Sequence, residues 1–223
     1  MTSVPEIFRP QIGQLLRSRM SLLTVLASAS ILALGALESF AMARAVNHFS
    51  NNAQAAHVRA SIVSSVTDIV PGKSFDLAVV FDIDETWHMY WKNPGDSGMP
   101  PSIAWTLPPG FEMGEMRFPA PIIYTHKGGT DHIHEKQLVV LVTIQVPQDV
   151  KPTGDKAELE LLGRATWLVC DANVCLPEEQ TLRLKLPVRM TTNELNASQF
   201  AAWRKSIPES DEAALKQAKK KAD

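Results

Sequence analysis

Apolar side chains recur at every second position through much of this chain, and Pro/Gly pairs cut the runs short. Phe75, Leu77, Val79, Phe81 and Ile83 alternate with Asp76, Ala78, Val80 and Asp82, which places one core-facing row on a β-strand. Pro71-Gly72 supplies the turn before it. Ile103, Trp105 and Leu107 repeat the spacing and stop at Pro108-Pro109-Gly110. Leu138 to Val146 is apolar on both faces, the pattern of an inner strand. Lys151 to Asp155, with Pro152 and Gly154, reads as a hairpin connection. Ala157, Leu159 and Leu161 then open a strand that runs through Trp167 to Cys170, and Leu182, Leu184, Leu186 and Val188 face inward around Arg183 and Lys185. Short strands with no helical pattern between them predict an all-β domain over residues 56–190, two antiparallel sheets packed as a sandwich.

The period changes after Pro187. Phe200, Trp203 and Ile207 have helical spacing, Asn196 is placed to cap that helix, and Pro208 ends it. Asp211 to Lys221 is a second, polar helical stretch whose closing lysines complement the helix dipole as a solvated terminus. Residues 191–223 therefore form a short helical tail. At the other end, Arg17 and Arg19 precede an apolar run from Leu22 to Leu37, and Ala41-Met42-Ala43 and Ala43-Arg44-Ala45 follow. This predicts a secretory signal over residues 1–45, cleaved near Ala43 or Ala45. The alternative is an uncleaved anchor, because the run approaches bilayer length. Residues 46–55, small and polar, read as a flexible leader. With 22 Lys+Arg against 24 Asp+Glu there is no electrostatic pull toward nucleic acid.

Two cysteines exclude a disulfide-dense scaffold and a cysteine-rich zinc module. Cys170 and Cys175 flank four residues between two strands, so they sit at a hairpin tip where their sulfurs can approach bonding distance. A bond closing so small a loop constrains the unfolded chain weakly, about 2 kcal/mol. It cannot span the core as an immunoglobulin-type bridge does. On spacing alone, a redox pair and a structural clip are equally good readings. His126, His132 and His134 form a second cluster, and the last two share a face of any strand. Three imidazoles there could hold Cu(II) or Zn(II), with His88-Met89 adding a soft donor. A glycine-turn loop carrying solvated histidines is the simpler reading and the one preferred. Trp87, Tyr90 and Trp91 are read as packing.

Several ordered blocks carry a more specific signal. They are Trp87-His88-Met89-Tyr90-Trp91-Lys92-Asn93-Pro94-Gly95-Asp96-Ser97-Gly98, Trp105-Thr106-Leu107-Pro108, Phe118-Pro119-Ala120-Pro121, and Trp167-Leu168-Val169-Cys170 through Val174-Cys175-Leu176-Pro177-Glu178-Glu179. Together they resemble the periplasmic N-terminal domain of the thiol:disulfide interchange protein DsbD, in the version found in the copper-sensitivity suppressor ScsB proteins. The resemblance implies an immunoglobulin-like fold and a redox-active pair, Cys170 and Cys175. It also implies a place in protein-disulfide reduction, the system that serves cytochrome c biogenesis and copper tolerance. Cys175 would form the mixed disulfide with a thioredoxin-like periplasmic partner, and Cys170 would resolve it. No cofactor is implied, and the expected state is a monomer. The sequence to Asp223 carries neither the membrane domain nor the thioredoxin-like domain of DsbD, so the expected electron donor is a separate membrane-embedded polypeptide. The stretch matching the family's aromatic cap loop is Thr125 to His134, with Tyr124 and histidines where the family has Phe. Asp171, Glu178 and Glu179 are expected to disfavour a thiolate. A periplasmic metal-binding protein and an interaction domain with a structural disulfide remain the alternatives.

Overall fold

The computed structural model describes residues 56–154 and 157–222; the predicted signal (1–45) and leader (46–55) lie outside them. Among the described residues ten strands come first, and all their pairings are antiparallel. They are β1 (Val58–Ser64), β2 (Ser74–Ile83), β3 (His88–Gly95), β4 (Ser102–Thr106), β5 (Glu112–Met113), β6 (Ile122–His126), β7 (Gly129–Glu135), β8 (Gln137–Gln145), β9 (Leu159–Cys170) and β10 (Cys175–Leu186). One sheet runs β1-β2-β8-β5, the other β10-β9-β3-β7-β6, and β4 pairs with the middle of β9, residues 162–166.

The alternating row of β2 faces the core as its period requires, with Leu77, Val79 and Phe81 fully buried. Phe81 meets Trp167 of the opposite sheet edge-to-face at 5.3 Å. β8 lies between β2 and β5, the inner position expected of a strand apolar on both faces. The connection around 151–154 is not a hairpin, because β8 and β9 belong to different sheets and the chain there crosses between them. Pro and Gly turn the chain equally well in either case; only the strands' partners distinguish them.

The seam between β1 and β10 is closed by side chains. Glu178 accepts from the His57 and Val58 amides (2.8 and 3.2 Å) and from Trp167 Nε1 (3.1 Å). Gln180 pairs with both backbone groups of Ala60, at 3.0 and 2.6 Å. These contacts occupy an edge that would otherwise be free to pair with another strand.

Two helices follow, α1 (Ala197–Ser206) and α2 (Asp211–Ala222). α1 covers the outer face of the four-stranded sheet, where Phe200 is fully buried against Ala78, Val80 and Leu141, with Trp203 and Ile207 beside it. Asp76 fixes the docking. Its carboxylate accepts from Arg204 Nε (2.8 Å), Arg117 Nη2 (3.0 Å) and Thr143 Oγ1 (2.6 Å). Burial alone would raise Asp76, but Thr143 and the two guanidinium groups outweigh it and hold the carboxyl below its usual range. Asn196 stands at the expected cap position without capping: its backbone is left-handed (φ 56°) and its side chain makes no cap hydrogen bond. α2 is less solvated than its composition suggests. Ala214 and Ala218, one turn apart, are buried, and Ala214 joins the sandwich core; Lys92 pairs with Asp211 at the first turn. The lysines at its end are exposed.

Candidate functional site

Cys170 ends β9 and Cys175 begins β10, directly opposite one another. The Asp171 amide donates to the Val174 carbonyl (3.0 Å), so that pair is hydrogen-bonded and the cysteine pair beside it is the non-hydrogen-bonded kind, in which Cα atoms approach closely. The Cα atoms are 4.1 Å apart and the sulfurs are joined in a disulfide. The four-residue tip is preorganised by Asp171, whose carboxylate accepts from the Asn173 and Val174 amides at 2.7 and 2.8 Å. These bonds lower the Asp171 pKa.

The two sulfurs differ in surroundings. Cys170 is 1% exposed and packs with Tyr90, Ile133 and Leu168, whereas Cys175 is exposed. Tyr90 Oη donates to Cys170 Sγ at 3.2 Å. Among the described residues this is the only hydrogen bond to either sulfur. Burial raises the Tyr90 phenol, which keeps it a donor. The segment after β3 holds the ring: Gly98 has φ 80°, and a Cβ there would lie 2.1 Å from Tyr90 Cε1. Ser97 beside it donates its amide (2.8 Å) and hydroxyl (2.5 Å) to Asp131, and His126 Nε2 lies 3.1 Å from the same carboxylate. Burial would raise Asp131, but the Ser97 and His126 bonds outweigh it and lower the carboxyl.

The expected cap stretch is the β6–β7 hairpin end, yet the ring on the sulfur comes from β3. Tyr124 and His126 instead extend a row along the outer face, with His88–Tyr124 and Tyr124–His126 centroids each 5.6 Å apart. The carboxylates expected to oppose a thiolate are each committed. Asp171 binds the tip amides, Glu178 turns to the β1 seam, and Glu179 pairs with Arg164.

The histidine trio is divided by the pleat. His126 is opposite Gly129 in the row of Tyr124 and Asp131, on the disulfide's face. His134 is opposite the core residue Met89, and His132 shares its row. His132 Nδ1 donates to the Asn93 carbonyl at 2.8 Å. His134 is 6% exposed, its Nε2 has no partner, and burial, with a smaller contribution from Lys221, lowers its pKa to about 4. Among the described residues no group of three or more His, Cys, Asp or Glu side chains converges on a metal position.

The sequence offers Tyr90 as packing and His88 as an added metal donor, whereas both stand on the Cys170 face of β3. Alternation puts His88 and Tyr90 on one face of β3 and Met89 and Trp91 on the other, a signal that was present. That the first face meets Cys170 follows only from the β3–β9 pairing.

The family model described as "Thiol:disulfide interchange protein DsbD, N-terminal" matches residues 58–187. The N-terminal periplasmic domain of ScsB from Proteus mirabilis shares the fold, with TM-score 0.52 and 19% identity over 68% of this chain and 55% of that one. The chain thus spans about half the length of that solved relative. The N-terminal domain of Neisseria meningitidis DsbD in the reduced form gives TM-score 0.36 and 14% identity over 60% of this chain and 88% of that one. No curated protein sequence matches the chain.

Proposed function

Because this chain belongs to the DsbD N-terminal domain family, we propose that it is an exported thiol:disulfide exchange protein. Its Cys170–Cys175 disulfide would pass electrons to or from a thioredoxin-like partner. The observation that carries this reading is the asymmetry of the bond, one sulfur exposed and the other buried under a hydrogen-bond donor.

Exchange needs a thiolate to reach a disulfide sulfur and a leaving sulfur able to hold charge. Cys175 meets the first need and Cys170 the second. The partner thiolate attacks Cys175 Sγ, the Cys170–Cys175 bond breaks, and its electron pair goes to Cys170 Sγ, where the Tyr90 hydroxyl is already aimed. The partner's second thiolate then attacks the partner sulfur in the mixed disulfide and releases Cys175. Two electrons and two protons have moved. Run in reverse, Cys170 attacks Cys175 Sγ and expels the partner, which is the resolving role the family resemblance implies.

The proposed setting is the periplasm, with the signal removed near Ala43 or Ala45 and a membrane-embedded donor on a separate chain. Among the described residues no helix is long and apolar enough to cross a membrane. Redox titration against a thioredoxin system tests the function. An exchange site opens under it, whereas a structural clip resists, with a potential below about −300 mV. A bond that resists throughout would leave the structural reading standing.

A further inference from the structure

His88 stands beside the disulfide and has no part in the exchange steps above. It is 8% exposed and directly opposite Cys170 across β3 and β9. Side chains so placed on one face have Cβ atoms about 4.5–5.5 Å apart. Its ring is flanked by Tyr90 at 5.5 Å and Tyr124 at 5.6 Å. The charged and titratable groups around it come from every neighbouring element: Glu135 and Asp131 from β7, Asp171 from the β9–β10 tip, and His126 from β6. Three of these are carboxylates. A buried imidazole among three carboxylates and next to a sulfur is arranged to become cationic once that sulfur acquires charge.

We propose that His88 is the proton acceptor of this redox site, holding Cys170 as a thiolate against an imidazolium when the disulfide is open. The inference rests on the redox reading of Cys170 and Cys175 and adds where the protons go. A dithiol partner loses two electrons and two protons as its own sulfurs join. The Cys170–Cys175 bond breaks, Cys175 takes one proton as a thiol, and the second proton resides on His88. Cys170 Sγ keeps the negative charge and accepts hydrogen bonds from Tyr90 Oη and the imidazolium. In the disulfide form burial dominates, and His88 titrates below its ordinary value despite Glu135, Asp131 and Asp171. Opening the bond supplies the missing negative charge. Burial alone would push the Cys170 thiol up and leave it unreactive at neutral pH; the pair keeps it ready to resolve a mixed disulfide.

The experiment follows the His88 imidazole by NMR in the oxidised protein and after opening the bond with dithiothreitol, which needs no protein partner. The expected result is a midpoint below the ordinary histidine value in the disulfide form and at least about one pH unit higher, tenfold in proton affinity, in the dithiol form. In parallel, alkylation of Cys170 by iodoacetamide is read in the Cys175→Ser background. Adding His88→Gln should slow it at least about fivefold at neutral pH. Glu135→Gln, at an exposed position, should lower the dithiol-form midpoint while leaving the fold intact. Equal midpoints in both forms, with Cys170 alkylation indifferent to His88→Gln, would overturn the proposal. A bond that dithiothreitol opens but no thioredoxin-like protein exchanges would defeat the functional reading instead, with the His88 result standing separately. A bond that dithiothreitol cannot open refutes both.

Discussion

Tyr90→Phe removes one hydroxyl from the disulfide site and leaves the ring where Gly98 holds it. In the disulfide form that hydroxyl donates to a neutral sulfur, 3.2 Å away, a bond worth about 0.5–1.5 kcal/mol net. Once Cys170 is a thiolate the same bond is charge-assisted and worth about 1.5–3 kcal/mol. The difference, roughly 1.4 kcal/mol, corresponds to about one pKa unit on Cys170. Tyr90→Phe should therefore raise the Cys170 thiol by about one unit. Because a leaving thiol of higher pKa departs more slowly, opening by an attacking thiol should slow, by no more than about the tenfold that one pKa unit represents. The assay is the rate of opening by a small thiol, alongside titration of Cys170 in the Cys175→Ser background. Gly98→Ala supplies a structural control: its Cβ would meet the Tyr90 ring at 2.1 Å, and φ 80° strains any side chain. It should reproduce the loss and also reduce stability. A wild-type opening rate and an unchanged Cys170 titration in Tyr90→Phe would refute the argument that this hydroxyl prepares Cys170 to leave.

Three further predictions concern the scaffold. Phe200→Ala should cost about 3 kcal/mol in urea unfolding, the low end for a buried phenylalanine because α1 can detach from the sheet. The ion pair docking α1 follows Asp76, whose pKa is lowered on folding. Its contribution is fully present above the unfolded value near pH 4 and is lost as pH falls through the lower folded value, visible as loss of helical signal ahead of the sheet. His134 has the opposite charge type but the same direction. With its folded pKa lowered to about 4 against about 6.5 unfolded, the unfolded chain binds the extra proton between those values. Stability should fall by about 3 kcal/mol as pH drops across that window and level off below it. His134→Leu should flatten this slope in urea midpoints measured from pH 7 to 4.5.

What could be read from the sequence divides along a physical line. The β9–β10 hairpin is local, so strand periodicity and the spacing of Cys170 and Cys175 located it. The inward row of β2 was equally legible. Its outer residues Ala78 and Val80 made sense only once Phe200, more than a hundred residues later, was found lying on them. The stretch 151–155 misled because turn chemistry does not say which sheet the next strand joins. Parity along β7 correctly put His132 and His134 together, but His126 belongs to the other row through the β6–β7 register. Ala214 and Ala218 are too weakly apolar to announce a buried helix face among lysines. Tyr90 was missed because its partner lies eighty residues away in sequence.

The central claim is that Cys175 receives the partner and Cys170 leaves and resolves. It is tested most directly by trapping a mixed disulfide with a thioredoxin-like protein and reading the joined peptides by mass spectrometry. Cys170→Ser removes the resolving sulfur while leaving the exposed one, so the mixed disulfide should accumulate with the partner bonded to Cys175. Cys175→Ser leaves only the buried sulfur under Tyr90 and should give much less. Trapping through Cys170 in preference would reverse the assignment of roles. No adduct in either variant, with a wild-type bond that a thioredoxin system leaves closed, would contradict the account.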